Sequence, residues 1–225
     1  MGGEADQRVL DGLHEQFESW RAELKGGARR VGWKIGLNVP EVQEQLGLRE
    51  AVIGHLTSAT QLDSGGEYAG GDAVELKAEP EVAIELGRDV PGDADAESAR
   101  EAVAGLAAAI ELVDVGRPPS DLESIMAANI FHRAFVLAPS RPALPAEGVG
   151  AKVTVNGELR AQAPAPDDFT DVVLLVARLL AAAGERLHEG DRIIGGSLTR
   201  QVEVGPGDLV AADLGRLGRV EVRVT

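Results

Sequence analysis

Residues 79–86 read Glu-Pro-Glu-Val-Ala-Ile-Glu-Leu, and residues 107–114 read Ala-Ala-Ala-Ile-Glu-Leu-Val-Asp. Both are apolar runs of strand length that carry glutamate where a buried strand normally has an apolar residue. Residues two apart on a strand point to the same face, so Glu79 and Glu81 project side by side and their charges repel. Burying such carboxylates is costly unless a charge compensates them. A cation held by Glu79, Glu81 and Glu111 would resolve the conflict, since all-oxygen ligand sets suit Mg²⁺ or Mn²⁺.

A solvent-exposed strand face is the alternative interpretation of the Glu-x-Glu pair, because surface carboxylates are the usual case. Glu85 continues the same alternation and favours that interpretation. Glu111 opposes it, because apolar residues flank it on both sides and predict a buried strand.

Composition narrows the class of protein. The chain has 225 residues, a formal net charge of −15 and no cysteine. This acidity argues against nucleic acid or an anionic membrane as partner, and it favours the recruitment of cations. The lack of cysteine excludes disulfides and thiolate metal ligands and fits a reducing cytoplasm. We expect no signal peptide, because the first 25 residues are polar and charged, and no apolar run approaches the roughly 20 residues of a membrane span.

Periodicity and turn residues predict many short strands and few helices. The predicted helices cover residues 4–25, 40–46, 96–104, 121–129 and 167–183. The predicted strands cover 31–36, 73–77, 80–86, the segment around Glu111, 134–138, 192–194, 201–204, 208–214 and 219–224, with a hairpin turning at Asn156-Gly157 and a loop or lid over 57–72. We therefore expect an α+β fold: one domain over residues 1–225 with a mixed β-roll or barrel-like core and a small N-terminal helical part over 1–28.

Lys34 lies in the apolar segment Val-Gly-Trp-Lys-Ile-Gly of residues 31–36. A buried lysine requires an anionic partner, so Lys34 is a candidate for binding a substrate carboxylate or for proton transfer. The alternative is a lysine whose stem is buried and whose ammonium reaches water.

Two further segments offer polar groups. Residues 195–199, Gly-Gly-Ser-Leu-Thr, form a glycine turn with N–H groups and hydroxyls that suit an anion, although an ordinary turn has the same composition. His132, between a predicted helix and strand, is a candidate general base, and so is His55. A surface or capping role is the alternative for His132. The four histidines show no metal-ligand spacing.

Six segments, in order along the chain, resemble one known group of enzymes. They are residues 32–37 (Gly-Trp-Lys-Ile-Gly-Leu), 79–83 (Glu-Pro-Glu-Val-Ala), 109–114 (Ala-Ile-Glu-Leu-Val-Asp), 134–137 (Ala-Phe-Val-Leu), 196–200 (Gly-Ser-Leu-Thr-Arg) and 204–208 (Val-Gly-Pro-Gly-Asp). The group is that of the 2-keto-4-pentenoate hydratases and 4-oxalocrotonate decarboxylases, within the fumarylacetoacetate hydrolase superfamily. The resemblance extends from about Arg29 to Thr225.

The resemblance implies a barrel-like β-roll and a specific set of site residues. Glu79, Glu81 and Glu111 match the Mg²⁺ or Mn²⁺ ligands of the group, and Lys34 matches the lysine beside its substrate. Ser197 and Thr199 match the loop that contacts the 2-oxo acid. The implied chemistry is a metal-stabilised enolate, after which proton transfers permit water addition, loss of carbon dioxide or carbon–carbon cleavage.

Two segments depart from the pattern of the group. Residues 52–54, Val-Ile-Gly, replace a Pro-Asp-Phe-Gly-type segment whose acid is assigned to proton transfer. Residues 130–133, Ile-Phe-His-Arg, replace a small Ala-Ser-Ser-Gly-type segment. The departures predict that His132 or His55 has taken over proton transfer, or that the reaction differs from ordinary hydration. Arg133 is predicted to contact an acidic substrate.

The leading hypothesis is a divalent-metal-dependent lyase that acts on a 2-oxo acid or β-dicarbonyl substrate, with hydration first and decarboxylation or C–C hydrolysis second. The rival is a non-catalytic homologue that binds a ligand or serves as the partner subunit of an active paralogue. The resemblance also implies a homo-oligomer, with a paralogous enzyme as a further candidate partner.

Overall fold

The computed structural model of the protein describes residues 6–119, 121–142 and 148–225. Within these ranges the helices are α1 (Gln7–Lys25), α2 (Pro40–Leu46), α3 (Ala96–Ala102), α4 (Leu122–Ala127) and α5 (Thr170–Ala182). The strands are β1 (Arg30–Gly36), β2 (Val52–Thr57), β3 (Gln61–Leu62), β4 (Gly66–Tyr68), β5 (Leu76–Leu86), β6 (Val103–Asp114), β7 (His132–Leu137), β8 (Arg141–Pro142), β9 (Gly150–Val155), β10 (Glu158–Pro164), β11 (Arg192–Ile194), β12 (Val202–Glu203), β13 (Leu209–Asp213) and β14 (Arg219–Val224).

A nine-stranded mixed sheet forms the larger layer. Its order is β2-β1-β11-β5-β6-β7-β3, with β12 paired to β5 and β8 paired to β6. The two longest strands, β5 and β6, are antiparallel neighbours at its centre. Both are buried along most of their length, which explains why their sequences are nearly continuous apolar runs.

A five-stranded sheet in the order β10-β9-β13-β14-β4 forms the second layer. The β9–β10 hairpin turns at Asn156 and Gly157, whose φ values of 54° and 84° suit a type I′ turn. The predicted hairpin is therefore confirmed. The two sheets together confirm the predicted α+β class with a curled, barrel-like core.

Helix α1 is packed into the core rather than set beside it. Asp6 accepts a hydrogen bond from the backbone N–H of Arg8 and caps the helix. Leu13 and Phe17 are fully buried, and the ring of Trp20 lies 5.3 Å from that of Trp33 in β1. Over the residues described, the predicted N-terminal helical part is thus a layer of the domain that covers one face of the large sheet.

The strand pattern differs from the sequence prediction at several places. Strand β8 had no strand prediction, and the strand expected from residue 73 begins at Leu76. Strand β5 continues through Pro80, where a break between two strands was expected. Proline is tolerated there because Pro80 lies between the stretches that pair with β12 and β11, where no strand requires its missing N–H. The predicted loop over 57–72 contains β3 and β4, and residues 52–57 form β2, which had no strand prediction. Strand β2 is buried at every position and so lacks the alternation that identifies a half-exposed strand.

Among the described residues, none of the helices combines the length and apolar character required to cross a bilayer.

Candidate metal and 2-oxo acid site

The pairing of β5 with β6 assembles the three glutamates. Glu79 is directly opposite Glu111, and Glu81 projects from the same face of β5 two residues further on. Each contributes a carboxylate oxygen to a group in which all the oxygens lie within 4.8 Å of one another. Glu81 and Glu111 are completely buried, and Glu79 is partly buried. The structure therefore brings together the three residues that the sequence predicted as a set.

The cluster holds more negative charge than its protein partners neutralise. Burial raises the pKa of Glu81 well above its ordinary value, and repulsion from Glu111 and Glu79 adds to the increase. Burial and repulsion from Glu111 raise the pKa of Glu79 to about 7. Oε1 of Glu81 and Oε2 of Glu111 have no hydrogen-bond partner among the described residues. Buried carboxylate oxygens without a donor are expensive, so the cluster has the charge and the open acceptors of a cation site.

Lys34 is the buried cation beside the cluster. Its Nζ lies 2.5 Å from Oε1 of Glu111 and donates to the carbonyl of Ile130 at 3.0 Å. Gly54 is its neighbour on β2. A side chain at Gly54 would contact Lys34 Cγ at 2.9 Å and Asn129 Oδ1 at 2.4 Å, so only glycine leaves room for both. Burial would raise the pKa of Glu111, but the Lys34 ammonium and His132 outweigh burial and lower it.

A strained turn supplies the carbonyl that Lys34 contacts. Asn129, Ile130 and Phe131 have φ values of 54°, 53° and 64°, a left-handed run that is unfavourable for side-chain-bearing residues and most unfavourable for a β-branched one. Asn129 holds the turn against β2: its Oδ1 accepts from the N–H of His55 at 2.9 Å, and its Nδ2 donates to the carbonyl of His55 at 3.0 Å. Strain of this kind persists when surrounding contacts determine it, and it concentrates at functional sites.

The segment after β11 covers the other side of the cluster. The N–H of Gly196 donates to Oε2 of Glu81 at 2.7 Å, and Nε2 of Gln201 donates to Oε1 of Glu79 at 2.9 Å. Gly196 has a φ of 94°, and a Cβ there would lie 2.6 Å from Nδ2 of Asn38, so the position requires glycine. Ser197 Oγ donates to the carbonyl of Thr199, whose own Oγ1 donates to the carbonyl of Arg200.

A cavity of about 210 Å³ opens beside the glutamates. Its lining includes the charged or polar residues Lys34, Asn38, Glu79, Ser197 and Gln201 and apolar groups from Val113, Val115, Ile130 and Phe131. Lys34 and Ser197 are thus the predicted catalytic and substrate-binding residues that line it. Thr199, His132 and Arg133 do not line it.

The two candidate histidines are both turned toward protein groups. His132 contacts Oε1 of Glu111 through Nδ1 at 2.6 Å and Oγ1 of Thr60 through Nε2 at 3.0 Å. His55 lies between Gln16 and Glu23, and burial lowers its pKa to about 4 despite the nearby Glu23. The structure thus does not bring either imidazole to the cavity as the proton-transfer group that the sequence predicted.

Arg133 points to a neighbouring carboxylate. Its guanidinium lies 2.8 Å from Oδ2 of Asp114. Burial would raise the pKa of Asp114, but the N–H of Glu75 and the Arg133 guanidinium lower it. The arginine therefore already has an anionic partner, and substrate binding by Arg133 requires that this pair open.

Sequence reasoning missed Thr60, Asn129 and Gln201 as members of the site. Gln201 directly follows the segment of residues 196–200, so its position next to a candidate site segment is the one local signal that could have identified it. Thr60 and Asn129 carry no local signal, because their partners are distant in sequence and are brought close only by the sheet.

The chain is similar to known proteins along most of its length. The sequence profile of the family described as fumarylacetoacetate (FAA) hydrolase C-terminal matches residues 34–225. The TodF product hydratase of Pseudomonas putida strain F1 is 33% identical over an alignment of 231 positions that covers 97% of this chain and 84% of the hydratase. A 4-oxalocrotonate decarboxylase from a Pseudomonas species is 29% identical over 208 residues, covering 90% of this chain and 81% of the decarboxylase.

A solved structure shares the fold. The 4-oxalocrotonate decarboxylase from Pseudomonas putida G7, complexed with magnesium and adipate, has a TM-score of 0.84 at 24% identity, covering 93% of this chain and 83% of that chain. At this level of identity the likeness establishes the architecture alone.

Proposed function

This chain belongs to the fumarylacetoacetate hydrolase family, and we propose that it is a divalent-metal-dependent lyase acting on a 2-oxo acid or β-dicarbonyl substrate through a metal-stabilised enolate. It is an enzyme of the hydratase and decarboxylase type to which its named relatives belong. Within that type we propose hydration, the addition of water to a carbon–carbon double bond, because the 33% identical relative is a hydratase.

The observation that carries the proposal is the buried carboxylate cluster. Three glutamates cluster beside a buried lysine, and two of their oxygens lack a donor among the described residues. These residues fit a small, hard cation, because such ions take oxygen ligands. We propose that Glu79, Glu81 and Glu111 hold Mg²⁺ or Mn²⁺. The bound ion would supply the positive charge that stabilises the enolate of a 2-oxo acid.

The cavity indicates a small anionic substrate. Its volume of about 210 Å³ is below the roughly 300–1,000 Å³ typical of pockets for drug-sized ligands. Lys34 reaches this cavity and is the cation that would bind the substrate carboxylate, while Ser197 offers a hydroxyl to the same end of the molecule. Val113, Val115 and Phe131 supply an apolar wall that limits water around the remaining carbons.

Decarboxylation is the second candidate reaction. It is favoured by the 29% identity to a 4-oxalocrotonate decarboxylase over most of both chains. Loss of carbon dioxide and addition of water both begin from the same enolate chemistry, so the carboxylate cluster does not distinguish them. Product analysis distinguishes the two reactions, because only decarboxylation releases carbon dioxide.

Calorimetric titration with Mn²⁺ and Mg²⁺, with and without oxalate, tests the cation site. We expect binding by the wild-type protein that oxalate tightens, and loss of binding in Glu81→Ala. Glu85→Ala is the matched control, because Glu85 lies on the same strand but pairs with Arg192 outside the cluster. A wild-type protein that binds neither metal, even with oxalate, would contradict the proposal and favour the non-catalytic alternative.

Exchange of substrate C3 protons in deuterated water tests the chemistry independently of the final product. We expect exchange from a small 2-oxo acid that requires both the metal and Glu111. Metal binding without exchange would leave a metal-binding homologue and would refute the lyase.

A further inference from the structure

A chain of hydrogen bonds leads from a surface-side threonine to one of the three glutamates. Thr60 Oγ1 lies 3.0 Å from Nε2 of His132, and Nδ1 of His132 lies 2.6 Å from Oε1 of Glu111. The His132 side chain is 2% exposed, and its ring packs 5.9 Å from that of Phe135. The imidazole is therefore held on two edges and one face, in a fixed orientation.

The acceptor at one end of this series of hydrogen bonds determines which group donates in each of them. Oε1 of Glu111 also accepts from the Lys34 ammonium, which has donors only, so this oxygen is the acceptor in its contact with His132. Nδ1 of His132 then carries the proton and Nε2 is the acceptor. The hydroxyl of Thr60 donates to Nε2 at 3.0 Å in preference to the carbonyl of Thr57, which lies 3.5 Å away. With both nitrogens used in this way, His132 has no edge left for a substrate in the cavity.

The two oxygens of Glu111 are consequently different. Oε1 accepts from both Lys34 and His132, whereas Oε2 has no donor among the described residues. Rotation of the carboxylate would break two charge-assisted contacts, so Oε2 stays free for a cation.

Lys34 cannot secure this arrangement alone. It lines the cavity, so an anionic substrate competes with Glu111 for its ammonium. His132 is outside the cavity lining and keeps its contact when the substrate arrives. Thr60 is itself anchored, because its carbonyl accepts from the N–H of Phe135 at 3.0 Å and the following residue pairs with β7.

We propose that Thr60 and His132 are positioning residues that orient Glu111 so that Oε2 faces the cation. This inference rests on the cation site of the proposed function and deepens it. It reassigns His132 from proton transfer to ligand orientation, and it gives a role to Thr60. Groups that orient metal ligands in this way typically contribute about 10–100-fold to metal affinity.

Titration with Mn²⁺, followed by the electron paramagnetic resonance signal of the free ion, tests the role of Thr60. Thr60→Val removes the hydroxyl at nearly constant volume, and we expect it to raise the Mn²⁺ dissociation constant about 10-fold. Thr60→Ser restores the hydroxyl and should return the constant to within about twofold of wild type. Thr170→Val is the matched control, since the hydroxyl of Thr170 donates to Asp168 at the start of α5, in a contact that involves none of the three glutamates.

Nitrogen-15 NMR of the His132 ring provides a readout that needs no metal. We expect the Nδ1–H form in the wild-type protein, and loss of the Nε2 hydrogen-bond shift in Thr60→Val but not in Thr60→Ser. Unchanged Mn²⁺ affinity in a folded Thr60→Val protein, or an Nε2–H ring in wild type, would overturn the inference. If Thr60→Val affinity is unchanged while wild type binds Mn²⁺ through Glu81, the proposed function survives and this inference fails. If wild type binds no Mn²⁺, both fail.

Discussion

The two sheets bury their residues in different ways. In the five-stranded sheet, burial alternates along β9 and β14, the buried positions are Val or Ala, and the charges face solvent. In the nine-stranded sheet, β2 and β6 are buried at nearly every position, and the buried set includes Lys34, Glu81 and Glu111. One-sided burial stabilises the fold without placing a charge in it. Two-sided burial creates an interior of low dielectric in which a few charges interact strongly.

The two kinds of burial correspond to two roles within one domain: the five-stranded sheet contributes stability, and the nine-stranded sheet also holds the candidate site. A sheet whose interior is apolar loses stability in proportion to the atoms removed. A sheet whose interior holds ionisable groups such as Lys34, Glu81 and Glu111 is stable only while their charges remain matched. We therefore expect substitutions in the five-stranded sheet to lower stability alone, and substitutions in the nine-stranded sheet to change both stability and ligand binding.

The largest expected effect follows from removing the buried cation. Lys34→Met keeps most of the side-chain volume but leaves Glu111 without its ammonium partner. Breaking one member of a buried pair typically costs about 3–5 kcal/mol. Urea unfolding should show this loss, and Mn²⁺ should recover part of it. Lys152→Met, at an exposed position of β9, is the control and should change the free energy of unfolding by less than about 0.5 kcal/mol. Equal losses in the free energy of unfolding for the two lysine variants would contradict the expected difference between the two sheets.

The next effect is a dependence of stability on pH that arises in the nine-stranded sheet. The pKa of Glu79 rises from an ordinary 4.5 to about 7 in the folded protein. A raised carboxyl pKa means that the folded state binds more protons, so this stabilising contribution is complete below about pH 4.5 and is lost as the pH rises through 7. Without metal, Glu79→Gln should exceed the stability of wild type by less than about 1 kcal/mol at pH 5 and by about 2–3 kcal/mol at pH 8.

Denaturant titrations at the two pH values, with and without Mn²⁺, check this prediction. Bound metal should cancel the advantage of Glu79→Gln, because the cation then stabilises the ionised carboxylate. Glu203→Gln, at the exposed position of β12, is the control for general charge effects. An advantage for Glu79→Gln at pH 5 as large as at pH 8 would contradict the raised pKa.

A purely apolar loss in the five-stranded sheet should be smaller and without functional consequence. Val222 on β14 is fully buried, and Val222→Ala removes two carbons from the interior. We expect a loss of about 2 kcal/mol in the free energy of unfolding. Mn²⁺ affinity should stay within twofold of wild type at a temperature where the variant is folded. A large change in affinity would mean that the two sheets are more tightly coupled than their burial patterns indicate.

The same contrast explains what could be predicted from the sequence. The sequence allowed four site residues to be predicted, because a charged residue in an apolar run is a local signal. They are Glu79, Glu81, Glu111 and Lys34. The β9–β10 hairpin could be predicted because the Asn-Gly pair favours a type I′ turn regardless of distant contacts. Strand β2 was missed because its two-sided burial removes the alternation that identifies strands.

The contacts of Thr60, Asn129 and Gln201 could not be predicted because they depend on sheet register and on partners far along the chain. Asn129 contacts residues 74 positions away, and Thr60 reaches His132 across 72 positions. Composition and periodicity describe neighbours within a helix turn or a strand, so they carry no information about such pairs. The position of His132 in the sequence likewise says nothing about which groups its two nitrogens contact.

The smallest expected effect allows the most direct comparison, because an asparagine with the same φ lies in a turn beside each sheet. Asn129 and Asn156 both have a φ of 54°. Asn156 holds the exposed hairpin through Asp208 and the N–H of Leu209. Asn129 holds the turn whose Ile130 carbonyl accepts from Lys34. Alanine at either position loses side-chain hydrogen bonds worth about 1 kcal/mol each and is less tolerant of positive φ, so both variants should be destabilised by about 1–2 kcal/mol.

Ligand binding should separate the two asparagine variants. Loosening the turn at Asn129 releases Lys34 from Ile130, so we expect Asn129→Ala to weaken oxalate binding to the Mn²⁺-loaded protein several-fold, while Asn156→Ala leaves it unchanged. Calorimetry at matched fractions of folded protein measures both. Equal oxalate affinities would mean that the strained turn serves only the fold, and that Lys34 is positioned by Glu111 without help from the Ile130 carbonyl.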